Sequence, residues 1–141
     1  MKILAVDFGD ARTGLAVCDK SELIASPLGV ISDHNRERVI EKIIEAAKEQ
    51  RVEEIVVGNP LNMNGTAGPR SELCHEVADA IREKSGLPVK MWDERSTTVS
   101  AIGILNQTDV RGKKRKAVID AVAAVLILEN YMAYRKNNKN A

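Results

Sequence analysis

Residues 7–17, DFGDARTGLAV, follow a short apolar run at residues 3–6 and lead into a second one at residues 15–18. Two short runs of apolar and β-branched residues around a glycine-containing turn are typical of a β-hairpin. Asp7 ends the first predicted strand, where a buried carboxylate costs free energy unless it is paired, hydrogen-bonded or bound to a metal. The stretch therefore predicts a hairpin that carries a candidate functional acid. The alternative is that Asp7 caps the turn and pairs with Arg12.

Length and composition indicate one soluble globular domain: 141 residues, of which 44% are hydrophobic and 29% charged. No apolar run approaches the roughly 18 residues of a membrane span. Residues 1–2 lead directly into the first predicted strand, so we expect no signal peptide. The two cysteines, Cys18 and Cys74, form neither a metal spacing nor a disulfide framework. We therefore expect free buried thiols and a cytoplasmic location.

Positive charge gathers in the last quarter of the chain. Residues 106–141 carry eight Lys or Arg against three Asp or Glu, whereas residues 1–105 carry thirteen against seventeen. Such an asymmetry favours a nucleic-acid partner near the C-terminus, although a solubilising basic tail gives the same pattern. Aromatic residues make up 3% of the chain. We expect too few of them for a platform that binds single strands by stacking.

The order of predicted elements is β-β-β-α-β-α-β-α-α. A meander followed by alternating strands and helices predicts a mixed five-stranded sheet with helices on both faces, an α/β fold. We expect a single domain over residues 1–135 and a disordered tail over 136–141. The predicted strands are residues 3–6, 15–18, 26–32, 54–58 and 88–92, and the predicted helices are about residues 36–50, 69–86, 97–105 and 115–134.

Acids from three distant segments stand where an acid is unexpected. Asp7 ends the first strand, Asp93 and Glu94 end the last strand, and Asp120 lies among alanines within an apolar helix. Strand ends on one edge of an α/β sheet meet at a common crevice, so the three groups are expected to converge. Converging carboxylates are most naturally stabilised by Mg²⁺ or Mn²⁺. Such ions activate water and stabilise in-line displacement at phosphorus.

Local ion pairs are the alternative explanation for these acids. Lys116 precedes Asp120 by four residues, and Arg95 is next to Glu94. An acidic metal centre flanked by cations nevertheless fits a polynucleotide, because Lys and Arg bind its phosphates. The candidate nucleic-acid-binding residues are Arg12, Arg95, Lys113, Lys114, Arg115 and Lys116.

Four ordered motifs, covering about residues 2–132, resemble the YqgF/RuvX family. They are D-x-G-x-x-R-x-G-x-A at 7–16, V-G-x-P-L-N-M-x-G-T at 57–66, D-E-R-x-T-T at 93–98 and D-x-x-A-A-x-L-I-L at 120–128. The resemblance implies an RNase H-like fold related to Holliday-junction resolvases of the RuvC type. It also implies a nuclease that processes the 5′ end of pre-16S rRNA in the bacterial cytoplasm, with Asp7, the Asp93–Glu94 pair and Asp120 as its active-site acids.

The ligand set that we expect for Mg²⁺ or Mn²⁺ is Asp7, Asp93 and Asp120, with Glu94 as the alternative to Asp93. RNase H-like nucleases usually carry an acid near the end of the fourth strand. Here residues 58–60 read Gly-Asn-Pro, so the second acid must come from the last strand.

Several functions remain open at this point. The substrate is structured RNA, such as pre-16S rRNA, or branched DNA, and the protein is a monomer or a homodimer. A junction-resolving DNA nuclease would need the dimer to cut two strands. An Asp-x-Gly hairpin also begins the phosphate site of actin-like ATPases and sugar kinases, but 141 residues leave no room for their second domain. The last alternative is a non-catalytic binding protein of the ribosome or the transcription machinery.

Overall fold

The computed structural model describes residues 1–60, 68–93 and 113–139, with side chains from 121 to 137 in the last range. Five strands form one mixed sheet in the order β3-β2-β1-β4-β5, in which β1, β4 and β5 run parallel and the hairpin strands run antiparallel. This confirms the predicted sheet. The strands are β1 (Ile3–Asp7), β2 (Arg12–Cys18), β3 (Ala25–Ser32), β4 (Glu54–Asn59) and β5 (Val89–Asp93).

The helix ends follow local signals in the sequence. The side chain of Asn35 accepts a hydrogen bond from the Arg38 amide at 3.1 Å and caps the first helix. Arg51 ends that helix in the left-handed conformation, and Gly86 does so for the second one. Pro69 opens the second helix, as predicted. The helices are α1 (Arg36–Gln50), α2 (Pro69–Ser85) and α3 (Lys113–Lys139).

Two elements extend several residues beyond their predicted bounds. Strand β2 begins at Arg12, because Arg12, Thr13 and Gly14 pair with the end of β3 despite their polar character. Helix α3 continues past Tyr134 to Lys139, so residues 136–139 of the expected tail are helical. The predicted short helix at residues 97–105 lies outside the described residues.

Helices cover both faces of the sheet. Leu4, Val6 and Val57 point to one face and pack under α1 and α2. Ile3 and Ala5 point to the other face, where they meet α3. Successive side chains of a strand alternate between the faces, so each strand residue can be assigned to one of the two layers.

A buried polar cluster fixes the C-terminal half of α3 at the N-terminal end of β1 and β4. The Tyr131 hydroxyl donates to Glu54 Oε2 at 3.0 Å, although Glu54 is only 5% exposed. Arg135 Nε donates to Glu22 Oε1 at 2.8 Å, and its Nη1 lies 3.6 Å from Glu54 Oε2. Burial opposes ionisation of Glu22, but the hydrogen bonds from Arg135 and the N-terminal amine outweigh it and lower its pKa. Truncating one member would leave a buried charge unpaired.

Both cysteines are free and buried, as predicted. The Ile3 amide donates to Cys18 Sγ at 3.2 Å, and burial raises the pKa of that thiol. Among the described helices, none is long and apolar enough to span a membrane.

Candidate active site

The turn between β1 and β2 holds Asp7 at the edge of the sheet. A Cβ atom at Gly9 would collide with the carbonyl oxygen of Arg12, so the turn requires glycine there. The Gly9 amide donates to Thr13 Oγ1 at 3.4 Å, and Thr13 is fully buried. These contacts explain why the D-x-G-x-x-R-x-G stretch forms a tight and closely packed hairpin.

Arg70, in the first turn of α2, anchors this turn from outside. Its Nη2 donates to the carbonyl oxygen of Phe8 at 2.7 Å, and its Nη1 donates to Asp10 Oδ1 at 2.7 Å. The guanidinium carbon also lies 5.9 Å from the centre of the Phe8 ring. Sequence reasoning missed this residue because 62 positions separate Arg70 from Phe8. Its only local signal is its place directly after Pro69 at a helix start.

Asp7 shares its face of the sheet with Ile3 and Ala5, which pack against α3. Val6 pairs with Val57, and Gly58 pairs with Trp92 on the far side of β4. Continuing this register by one residue places Asp7, Gly58 and Trp92 in one row on the α3 face. Gly58, which lies between the other two residues, is buried and carries no side chain.

Asp93 belongs to the opposite face. It pairs with Asn59, whose Oδ1 accepts a hydrogen bond from the Ser71 hydroxyl of α2. Met91, two residues earlier on the same strand, packs in the core under α1 and α2. Alternation along β5 therefore directs Trp92 toward the α3 face, and Asp93 away from it. Asp7 and Asp93 end parallel strands at the same edge, as expected, but they do not share a face.

Glu94 and Arg95 lie outside the described residues. Asp120 lies in α3, four residues before Ala124, which is fully buried against the sheet, and Ala121 is 7% exposed. The side chain of Asp120 lies outside the described ones, which begin at residue 121 in this helix. Small residues at this contact allow α3 to approach the sheet closely.

The structure describes the predicted phosphate-binding residues only in part. Arg12 is the first residue of β2 and pairs with Ser32 of β3. The basic group Lys113, Lys114, Arg115 and Lys116 forms the first turn of α3.

No three His, Cys, Asp or Glu side chains gather as a metal site among the side chains that the structure describes. Of the expected ligands, only the Asp7 and Asp93 side chains belong to that part of the chain. Their oxygen donors fit a hard cation such as Mg²⁺.

A cavity of about 430 Å³ lies far from these acids, beside the loop between β2 and β3. That loop is at the N-terminal end of β1, the edge opposite Asp7. The cavity is therefore separate from the candidate active site. Its lining residues are Ser21, Glu22, Leu23, Glu129, Met132, Ala133 and Lys136.

The sequence profile of a family described as "RuvX: Holliday junction resolvase" matches residues 1–134. The chain belongs to the RuvX family. RuvX-family relatives named "Putative pre-16S rRNA nuclease" match over nearly their whole length. The one from Halothermothrix orenii is 43% identical over 135 residues, 96% of either chain. The one from Bacillus cytotoxicus is 44% identical over 135 residues, 94% of this chain and 98% of that protein.

Solved structures similar to this RuvX-family chain include RuvC of Thermus thermophilus. It superposes with a TM-score of 0.59 at 16% sequence identity and covers 97% of both chains. RuvC of the same organism in complex with a Holliday junction substrate gives a TM-score of 0.62 over 96% of both chains. These likenesses confirm the RNase H-like fold.

Proposed function

We propose that this protein is a Mg²⁺- or Mn²⁺-dependent nuclease that processes the 5′ end of pre-16S rRNA in the cytoplasm. Membership of the RuvX family and the shared name of its relatives identify the chain as a nuclease, a phosphodiester hydrolase. The observation that carries the proposal is the position of Asp7. It ends the central strand of an RNase H-like sheet on the face that α3 covers.

The acids of the proposed site are Asp7, Asp120 and one member of the Asp93–Glu94 pair. Since β5 directs Asp93 to the other face, alternation favours Glu94, the next residue of the chain, as the partner of Asp7. Asp7, Glu94 and Asp120 would then hold the metal. A bound Mg²⁺ or Mn²⁺ would activate water and neutralise charge that develops on the attacked phosphate.

The remaining residues would position the substrate and the acids. Gly9 and Arg70 fix the turn that carries Asp7. Lys113 to Lys116 begin α3 only four residues before Asp120. Their charges would bind phosphates next to the scissile bond and fix the strand without reading its sequence.

The test is cleavage of an end-labelled pre-16S rRNA 5′ fragment and of a four-way DNA junction, with Mg²⁺ or Mn²⁺. We expect metal-dependent cleavage of the rRNA that Asp7→Asn and Asp120→Asn each abolish. Asp79→Asn is the matched control, because Asp79 is an exposed acid of α2 paired with Arg82. Cleavage that persists in both acid variants would refute the assigned site.

The family description favours branched DNA as a second substrate. Cleavage of the junction alone would make the protein a DNA resolvase, and its oligomeric state would then be decisive because symmetric cutting needs two sites. Binding of either substrate without cleavage would favour the non-catalytic binding protein.

A further inference from the structure

The C-terminal half of α3 carries an exposed stripe of side chains at the edge of the sheet opposite the candidate active site. Glu129, Ala133 and Lys136 follow one another at spacings of four and three residues, so they share one side of the helix. All three are exposed, and all three line the cavity beside the loop between β2 and β3. Tyr131 and Arg135 hold the other side of the helix on the sheet. The stripe therefore faces outward, and the cavity runs along it.

The loop that forms the other wall of this cavity exposes two adjacent apolar side chains. Leu23 is 73% exposed and Ile24 is 64% exposed. The amides of both residues donate to Asp19 Oδ1, at 3.0 and 3.5 Å. Glu22 ties the same loop to Arg135 of α3. Apolar side chains that a fixed loop exposes beside charged groups are typical of a protein interaction surface.

The charges at the two ends of the stripe are complementary to each other. Glu129 and Lys136 lie seven residues apart, which is about 10.5 Å along the helix, and Ala133 is next to their midpoint. Within the described part of the chain, neither charge belongs to an ion pair. When two such stripes meet in antiparallel orientation, Glu129 of each copy faces Lys136 of the other. Parallel stripes would set equal charges against each other, so the pattern favours antiparallel pairing.

We propose that a second copy of this chain binds to this surface and forms a homodimer. A two-fold axis next to Ala133 relates the two α3 helices, and two-fold dimers are the commonest homo-oligomers. The small side chain of Ala133 lets the two helices approach closely. Leu23 lines the cavity together with Ala133, so the second copy covers Leu23 and removes its apolar surface from water. Because exposed ion pairs contribute little, the apolar contact supplies affinity and the charges fix the orientation.

The dimer leaves both candidate active sites open. Tyr131 bonds to Glu54, which pairs with Ile3 at the N-terminal end of β1, whereas Asp7 ends that strand. The contact between the two copies is thus at the edge that does not carry the acid. The inference goes beyond the proposed function, and its test needs no nucleic acid.

Sedimentation velocity of the full chain over a range of concentrations measures the equilibrium between monomer and dimer. The wild type should dimerise. Lys136→Glu sets two pairs of acids against each other and should raise the dissociation constant of the dimer about tenfold or more. Glu129→Lys should weaken the dimer in the same way. The double variant Glu129→Lys/Lys136→Glu restores both contacts between opposite charges and should dimerise like the wild type.

Leu23→Ser tests the apolar part of the contact. It should raise the dissociation constant about fivefold or more, because both copies lose an apolar side chain that the dimer covers. Glu83→Lys and Lys84→Glu are the matched controls, since they reverse exposed charges of α2. Each control should dimerise like the wild type.

A wild type that stays monomeric at every concentration would overturn the proposal and leave the surface to a different partner. The proposal is also overturned if the single reversals in α3 dimerise as tightly as the wild type. A double variant that is no tighter than the single ones would place the contact elsewhere and overturn it as well. Equal weakening by the two controls would indicate a general electrostatic effect, with the same consequence.

Discussion

Arg70 donates a hydrogen bond of 2.7 Å to the carbonyl oxygen of Phe8, the residue that directly follows Asp7. The bond ties the first turn of α2 to the turn that carries the candidate catalytic acid. The same guanidinium also pairs with Asp10, which is 80% exposed. Because exposed ion pairs contribute little, the bond to the Phe8 carbonyl is the part of this contact that positions Asp7.

Replacing Arg70 should therefore impair catalysis more than stability. We expect Arg70→Ala to lower the free energy of unfolding by about 1 kcal/mol and kcat by about tenfold or more, since small displacements of a catalytic group are costly. Urea unfolding and cleavage kinetics measure the two effects. Arg36→Ala removes a comparable exposed pair, the 2.9 Å contact with Glu76, and is the matched control. An equal loss of kcat in the control would contradict a positioning role for Arg70.

The sheet and most helix bounds could be predicted because local signals determine them. The apolar runs, Pro69 and Gly86 all act within a few residues. Contacts such as Arg70 to Phe8 join distant positions and leave no periodic pattern, so they emerge only from the assembled fold. The side of the sheet to which Asp93 points could be predicted only in part from the sequence. Alternation relates Asp93 to Met91, but which layer covers Met91 depends on the packing of α1 and α2.

The assignment of faces predicts different roles for the two acids after β5. Glu94→Gln should abolish metal-dependent cleavage, because Glu94 is the proposed partner of Asp7. Asp93→Asn should keep most activity, since Asp93 belongs to the face that Asn59 shares with α2. The measurement is kcat at several Mg²⁺ concentrations, and each variant is the control for the other. The opposite ranking would show that the Asp93 carboxylate reaches around the strand end to the site.

The buried polar cluster around Tyr131 and Glu54, at the C-terminal half of α3, predicts that the protein loses stability at alkaline pH. Burial, the charge of Glu54 and the hydrogen bond to it raise the pKa of Tyr131 from 10.0 to about 12. A group with a raised pKa in the folded protein stabilises it fully below the unfolded pKa and loses that contribution as pH rises through the folded one. The free energy of unfolding should therefore fall between pH 10 and about 12.

Urea unfolding across this pH range, with tyrosinate absorbance recorded in parallel, measures that loss. Tyr131→Phe should be less stable at neutral pH by about 1 kcal/mol or more, because Glu54 loses a hydrogen bond in a buried site. It should also show a shallower decline above pH 10. Tyr134→Phe removes an exposed hydroxyl from the same helix and serves as the control. An equally shallow decline in that control would assign the alkaline loss to another group.

The basic first turn of α3 leads us to predict how the affinity for the substrate depends on salt concentration. Binding that neutralises phosphates releases counterions, so the logarithm of affinity falls with the logarithm of salt concentration, by about 0.9 per contact on B-DNA and about 0.7 on single strands. Replacing Lys113, Lys114 and Lys116 with Gln should weaken substrate binding at low salt and flatten this dependence.

The matched control replaces Lys20, Lys48 and Lys84, three exposed lysines outside α3. Both variants lose the same net charge, so a general electrostatic effect would flatten the two slopes equally. A flatter slope confined to the first variant would place the phosphate track beside Asp120, and unchanged slopes in both would move it elsewhere on the protein.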